Sequence, residues 1–215
     1  MVRVKVCGIT NLDDARFAAD AGAWALGMIF APESERRCGV DAAAEIGREL
    51  HRHVEVAGVF ANASLDEVAE LADLCSLSLV QLHGEEGPVY CSEVARRTGA
   101  KVIKAVRARD KAAVRSLLAY RDRVGFHMLD AYVPDRRGGT GETFAWELAA
   151  ERAPSQVPLI LSGGITPDNA PEAIAAVRPF AVDSASGTEA EPGRKDPAKV
   201  TALIRAVERA PQVPA

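Results

Sequence analysis

The sequence predicts a single-domain (β/α)8 barrel, the TIM-barrel form of the α/β class, on three observations. Eight short apolar runs recur along the 215 residues, alanine-rich stretches with helical spacing follow them, and no linker or break in composition divides the series. Repeated βα units build a parallel sheet, and eight of them here average about 27 residues, a tight but workable size for this barrel. A doubly wound open sheet is the alternative way to arrange the same units.

The elements follow in order. The first strand, 3–8, alternates charge with valine, stops at Cys7 and Gly8, and turns into a helix over 12–21. ALGMIF at 25–30, EVAGVF at 55–60 and LVQLHG at 79–84 precede helices over 41–51, 65–74 and 88–98. KVIKAV at 101–106 and GFHMLD at 125–130 precede helices over 110–119 and 144–151, and PLILS at 158–162 and AVDS at 181–184 lead to the last two, 168–176 and 196–209. Glycine, proline and charge exclude a regular element from AYVPDRRGGTGET, 131–143, which reads as a mobile lid after the sixth strand. The barrel is expected over 1–210, with a loose tail at 211–215.

Bulk composition narrows the partners. Hydrophobic residues at 48% with charged residues at 26% are globular proportions, and a net charge of −4 offers no general attraction to nucleic acid or an anionic membrane. A small ligand is expected, with any acidic group met by a local cluster. No apolar run approaches the ~20 residues of a membrane span, so the protein is expected to be cytoplasmic. Cys7, Cys38, Cys75 and Cys91 are irregularly spaced and read as free thiols, without a disulfide framework or a metal site.

Polar residues inside barrel strands need individual explanation, because both strand faces are buried. Lys5 and Cys7 share a face of the first strand, Gln81 and His83 one of the fourth, and Lys104, Asp130 and Asp183 interrupt three later strands. With the valines against the helices, the polar set points inward. Catalytic side chains in such barrels come from the carboxyl ends of strands, where Cys7, His83, Asp130 and Asp183 stand. Lys5, Gln81 and Lys104 fit better as an interior network with the aspartates.

Near the C-terminus LILSGGITPDN, 159–169, ends a strand in Gly163 and Gly164 and starts a helix with Thr166 as cap and Pro167 in the first turn. The next strand runs into AVDSASGTE, 181–189, with Ser186 and Gly187 in its turn. Two glycine turns side by side after the last two strands hold a phosphate through backbone N–H groups and a helix start. GGTGE at 138–142, with Gly139 and Gly141, either adds amides to the same anion or serves as the hinge of the lid.

Taken together these segments resemble the phosphoribosylanthranilate isomerase family of tryptophan biosynthesis through nearly the whole chain. KVCGIT, ALGMIFAPESERR, VQLHGEE, MLDA followed by GGTGETFAW, LSGGITPDN, and VDSASGTE with GRKD fall in the family's order. The chain departs from it at Glu35, where the family usually has proline, and at Ala185, where it has a second serine. The resemblance implies a cofactor-free Amadori rearrangement of N-(5-phosphoribosyl)anthranilate to the 1-deoxyribulose 5-phosphate derivative, by a monomer or homodimer whose partner is this phosphosugar-anthranilate. It puts Cys7 as base and Asp130 as acid, with Arg36 on the anthranilate carboxylate, a group guanidinium binds bidentately. His83 and Asp183 would orient sugar hydroxyls or other site groups. The first helix's N-terminus and Lys5 are expected to favour the Cys7 thiolate, and burial or the substrate's charge to keep Asp130 protonated.

Other phosphosugar-barrel enzymes, or a phosphate-binding barrel without catalysis, would share the glycine turns. A metal-dependent epimerase would need histidines at strand ends, whereas His51 and His53 fall at the end of a helix.

Overall fold

Alternation along the strands divides the chain's apolar residues between two separate volumes. The computed structural model describes residues 1–130, 146–149, 152 and 155–210. Strands β1 (Arg3–Cys7), β2 (Ala25–Ile29), β3 (Glu55–Phe60), β4 (Leu79–Leu82), β5 (Lys101–Arg107), β6 (Phe126–Asp130), β7 (Leu159–Ser162) and β8 (Ala181–Ser184) pair in parallel and close as a barrel, which excludes the open sheet. The seam is β1 against β8, with Lys5 opposite Asp183.

One face of each strand packs on the helices: Val4, Val6, Leu26, Met28, Val80, Leu82, Val102, Leu129 and Val182 join the outer core. The other face fills the barrel with Ala25, Ala57, Leu79, Ile103, Ala105, Met128, Ile160 and Ala181. At its N-terminal end Trp24, Phe126 and Phe180 pack ring against ring at 5.2–5.5 Å, with the Arg3 guanidinium 4.8 Å from the Phe180 ring. That end is plugged, so polar residues further along the inner face collect at the C-terminal mouth.

Helices α1 (Leu12–Asp20), α2 (Val40–Leu50), α3 (Leu65–Leu74), α4 (Pro88–Thr98), α5 (Lys111–Ser116), α6 (Ala170–Val177) and α7 (Pro197–Arg209) surround the sheet. Asn11, Ser64, Asp110 and Asp196 accept from backbone N–H groups of the first turns of α1, α3, α5 and α7, satisfying donors that the helix itself cannot. Residues 146–149 are helical, within the helix expected over 144–151. The stretch 131–143, read as a lid, and the tail 211–215 lie outside the described residues. Among the described residues no helix is long and apolar enough to cross a membrane.

Two readings are corrected and one element is added. Lys104 does not join an interior network: Ile103 and Ala105 point inward, so Lys104 shares the outer face with Val102 and Val106. There its ammonium lies 2.7 Å from Glu86 Oε2 and donates to the Gly84 carbonyl at 2.6 Å. Thr166 does not cap the helix after β7, which begins at Ala170 behind Asn169. Thr166 instead opens a preceding turn: its N–H donates to Asn169 Oδ1, and its hydroxyl accepts from the Asn169 N–H. After β8 the chain adds a short antiparallel hairpin, β9 (Glu189–Glu191) and β10 (Arg194–Lys195), which strand periodicity does not announce.

Candidate active site

The mouth of the barrel opens into a cavity of about 430 Å³ lined by Cys7, Arg36, His83, Asp130, Gly163, Gly164, Asp183 and Ser186. These residues come from six strand ends or the loops after them, and inward parity delivers Cys7, His83, Asp130 and Asp183 to one space. Gly187 does not line it; it borders a separate depression with Thr166, Pro167 and Lys199. A Cβ on Gly187 would lie 2.0 Å from the Ile165 carbonyl oxygen, so its contribution is to let the two glycine turns pack backbone to backbone. Ser184 Oγ joins the same turns by donating to that carbonyl at 2.6 Å. Gly163 and Gly164 hold φ of 95° and 68°, and the Gly164 carbonyl accepts from Asn169 Nδ2 at 2.9 Å. Gly139 and Gly141 lie outside the described residues.

On the floor, Lys5 is fully buried with Nζ 2.7 Å from Asp183 Oδ1, and Asp183 Oδ2 accepts from Ser162 Oγ at 2.9 Å. Burial opposes the charge on Lys5, but attraction to Asp183, with help from Cys7, more than offsets it and raises the ammonium's pKa. Cys7 stands over this pair, opposite Gly27 in register. An ideal Cβ on Gly27 would fall 2.7 Å from Cys7 Sγ and 3.0 Å from Lys5 Nζ, so the missing side chain is the space these two groups occupy.

The downward shift expected for the Cys7 thiol is reversed in this cavity. Burial pushes its thiol up, and Lys5 pulls the other way without prevailing. The helix contributes little, because α1 starts only at Leu12 and Asn11 already takes its Asp14 N–H at 2.9 Å.

Across the mouth His83 Nε2 lies 3.4 Å from Asp130 Oδ2, and its Nδ1 lies 3.1 Å from Gln81 Nε2. A Gln81 amide that donates to Nδ1 leaves the imidazole proton on Nε2, facing Asp130. Sequence reasoning put Gln81 in the interior network; it also lines the cavity, beside Ser34, Ser162 and Ser184, which went unassigned. Ser162 could have been found by parity with the inward Ile160. Arg36, on a loop crowded with charge, is held by Glu189, whose side chain is 4% exposed. Glu189 and Lys195 lie inside the VDSASGTE and GRKD segments, yet nothing local revealed that they meet Arg36. Among the described residues no group of three or more His, Cys, Asp or Glu side chains is placed to hold a metal ion.

Comparison with known proteins identifies a family. A family model described as N-(5'phosphoribosyl)anthranilate (PRA) isomerase matches residues 4–206. An N-(5'-phosphoribosyl)anthranilate isomerase of Citrifermentans bemidjiense is 51% identical over 204 residues, 95% of this chain and 96% of that one. The crystal structure of phosphoribosyl anthranilate isomerase from Thermotoga maritima superposes with a TM-score of 0.86 at 41% identity, covering 97% of this chain and 99% of that one. A phosphoribosyl anthranilate isomerase solved with reduced 1-(o-carboxyphenylamino)-1-deoxyribulose 5-phosphate gives a TM-score of 0.83 at 39% identity, over 97% and 99% of the two chains. With a family model matching residues 4–206, a relative 51% identical over 95% of the chain and a barrel that superposes on a solved one, this chain belongs to the N-(5'-phosphoribosyl)anthranilate isomerase family.

Proposed function

We propose that Cys7 and Asp130 are the base and the acid with which this isomerase rearranges N-(5'-phosphoribosyl)anthranilate in tryptophan biosynthesis. The rearrangement asks for two proton movements. Asp130 gives a proton to the furanose ring oxygen as the ring opens to a Schiff base. Cys7 then takes the proton from C2, and the resulting enolamine tautomerises to the ketone, 1-(2-carboxyphenylamino)-1-deoxyribulose 5-phosphate.

The observation that carries this reading is that Cys7 and Asp130 open into one cavity that Gly163, Gly164, Ser186 and Arg36 also line. The glycine turns suit the phosphate and Arg36 the anthranilate carboxylate. His83 and Asp183 orient sugar hydroxyls or neighbouring site groups. Cys7 must ionise before it acts, and the Lys5 ammonium beside it is the group that stabilises the anion. The same reading takes residues 1–210 as the catalytic unit, working in the cytoplasm as a monomer or homodimer.

Freshly prepared phosphoribosylanthranilate, followed by loss of its fluorescence, tests the assignment. Cys7→Ser and Asp130→Asn are each expected to lower kcat by about 10²-fold or more, the usual range for removing a general acid or base, with KM little changed. Unchanged turnover in both variants discards the mechanism.

A further inference from the structure

Arg36 reaches the cavity from a loop, where a long side chain would ordinarily sample many rotamers. Here its Nε lies 2.9 Å from both oxygens of Glu189, and its Nη2 lies 2.9 Å from Oε2. This is the side-on edge of the guanidinium. The edge left over carries Nη1 and the second hydrogen of Nη2, a fork of the right geometry for one more carboxylate.

A buried carboxylate next to the place where another must bind would ordinarily repel it. Lys195 removes that objection: its Nζ lies 3.1 Å from Glu189 Oε1, and its side chain is 1% exposed. With Arg36, Glu189 and Lys195 all ionised, the cluster keeps one net positive charge for an incoming anion. Lys195 Nζ also donates to the Ala185 carbonyl at 3.1 Å, in the turn beside Ser186 at the phosphate side of the cavity. The hairpin bearing these groups is fastened to the first βα loop and to α1, since Thr10 Oγ1 donates to the Gly193 carbonyl at 2.6 Å and the Lys195 N–H to Asp14 Oδ2 at 2.8 Å.

We infer that Glu189, backed by Lys195, is a positioning residue that sets specificity for the substrate's aromatic carboxylate by holding Arg36 edge-on to the cavity. Lys195 keeps its own bond to the Ala185 carbonyl of the phosphate turn, so that turn does not depend on Glu189. The inference rests on the proposal that Arg36 binds the anthranilate carboxylate. It assigns Glu189 no proton transfer, and its mark is therefore selective binding.

The test compares two substrates, phosphoribosylanthranilate and the phosphoribosylaniline that lacks the carboxylate, with product formation followed by chromatography. Glu189→Gln keeps the side-chain shape but removes the charge that locks Arg36. It should raise KM for the carboxylated substrate about tenfold, the effect of losing one charge-assisted hydrogen bond, with kcat within about threefold. The aniline substrate should be nearly unaffected, and Glu189→Asp should recover part of the loss. Arg36→Met should abolish the preference for the carboxylated substrate and make Glu189→Gln silent when the two are combined. Equal losses on both substrates, a loss confined to kcat, or no change with Glu189→Gln while Arg36→Met destroys the preference overturns the inference alone. An Arg36→Met enzyme that keeps its preference overturns the reading of Arg36 beneath it. Circular dichroism checks that Glu189→Gln is folded; were it not, Glu189→Asp is read on the same pair of substrates, and equal loss on both has the same force.

Discussion

Gly27→Ala adds one methyl group to the barrel floor and should cripple turnover without removing any functional group. The ideal Cβ lies 2.7 Å from Cys7 Sγ, 3.0 Å from Lys5 Nζ and 3.2 Å from the Cys7 backbone. Comfortable non-bonded separations start near 3.5 Å, so the sulfur has to retreat by about 1 Å. The Cys7 main chain stops the methyl from slipping aside. A displacement of that size in a reacting group costs about 10²-fold in rate, or about 2.7 kcal/mol in barrier. Overpacking should also lower stability by about 1–3 kcal/mol. The phosphate turns follow β7 and β8 and hold none of the three atoms nearest the added Cβ, so KM should move by less than about threefold. Steady-state fluorescence assays on the folded variant measure both constants, and urea unfolding measures the stability cost. A folded Gly27→Ala enzyme with wild-type kcat would refute the idea that thiol placement over Lys5 limits the chemistry.

Two further outcomes concern the outer face of the barrel. Lys104→Met strands the Glu86 carboxylate, which keeps its bonds from the Asn62 and Gly84 N–H groups but loses its counter-ion. Urea unfolding should show a loss of about 3–5 kcal/mol, part of it restored by adding Glu86→Gln, and a loss below about 1 kcal/mol would contradict the buried-charge argument. His127 is fully buried on the helix side of β6, and burial, with the Arg152 charge beside it, pulls its pKa down to about 4. The folded value lies below the unfolded value near 6.5, so its contribution is present above that pH and is lost as pH falls toward 4. Between pH 7 and pH 4 the wild type should lose about 2–3 kcal/mol more than His127→Gln in urea titrations, and parallel pH curves for the two would count against it.

Much of this architecture is written in local pattern. Val4 and Val6 against Lys5 and Cys7, or Val80 and Leu82 against Gln81 and His83, show that each strand's phase can be read before any pairing is known. The same phase, carried through the fifth strand from Ile103 and Ala105, would have turned Lys104 outward. Its misassignment came from treating a charge in a strand as an interior group without following the parity of its neighbours. Gly187 has a different origin: its need for a bare Cα arises from the Ile165 carbonyl one βα unit earlier, and a glycine in a turn looks the same whether it faces a ligand or another backbone.

The number, order and phase of the strands, and the inward set of Cys7, His83, Asp130 and Asp183, were determined by the sequence itself, because a pleated strand encodes its two faces residue by residue. Tertiary structure alone decided that burial pushes the Cys7 thiol's pKa up and that Arg36 is locked edge-on by Glu189. A side chain's protonation follows from how much water the closed barrel removes, and an ion pair's geometry from groups 153 positions apart. Neither quantity exists until the ends of the chain have met.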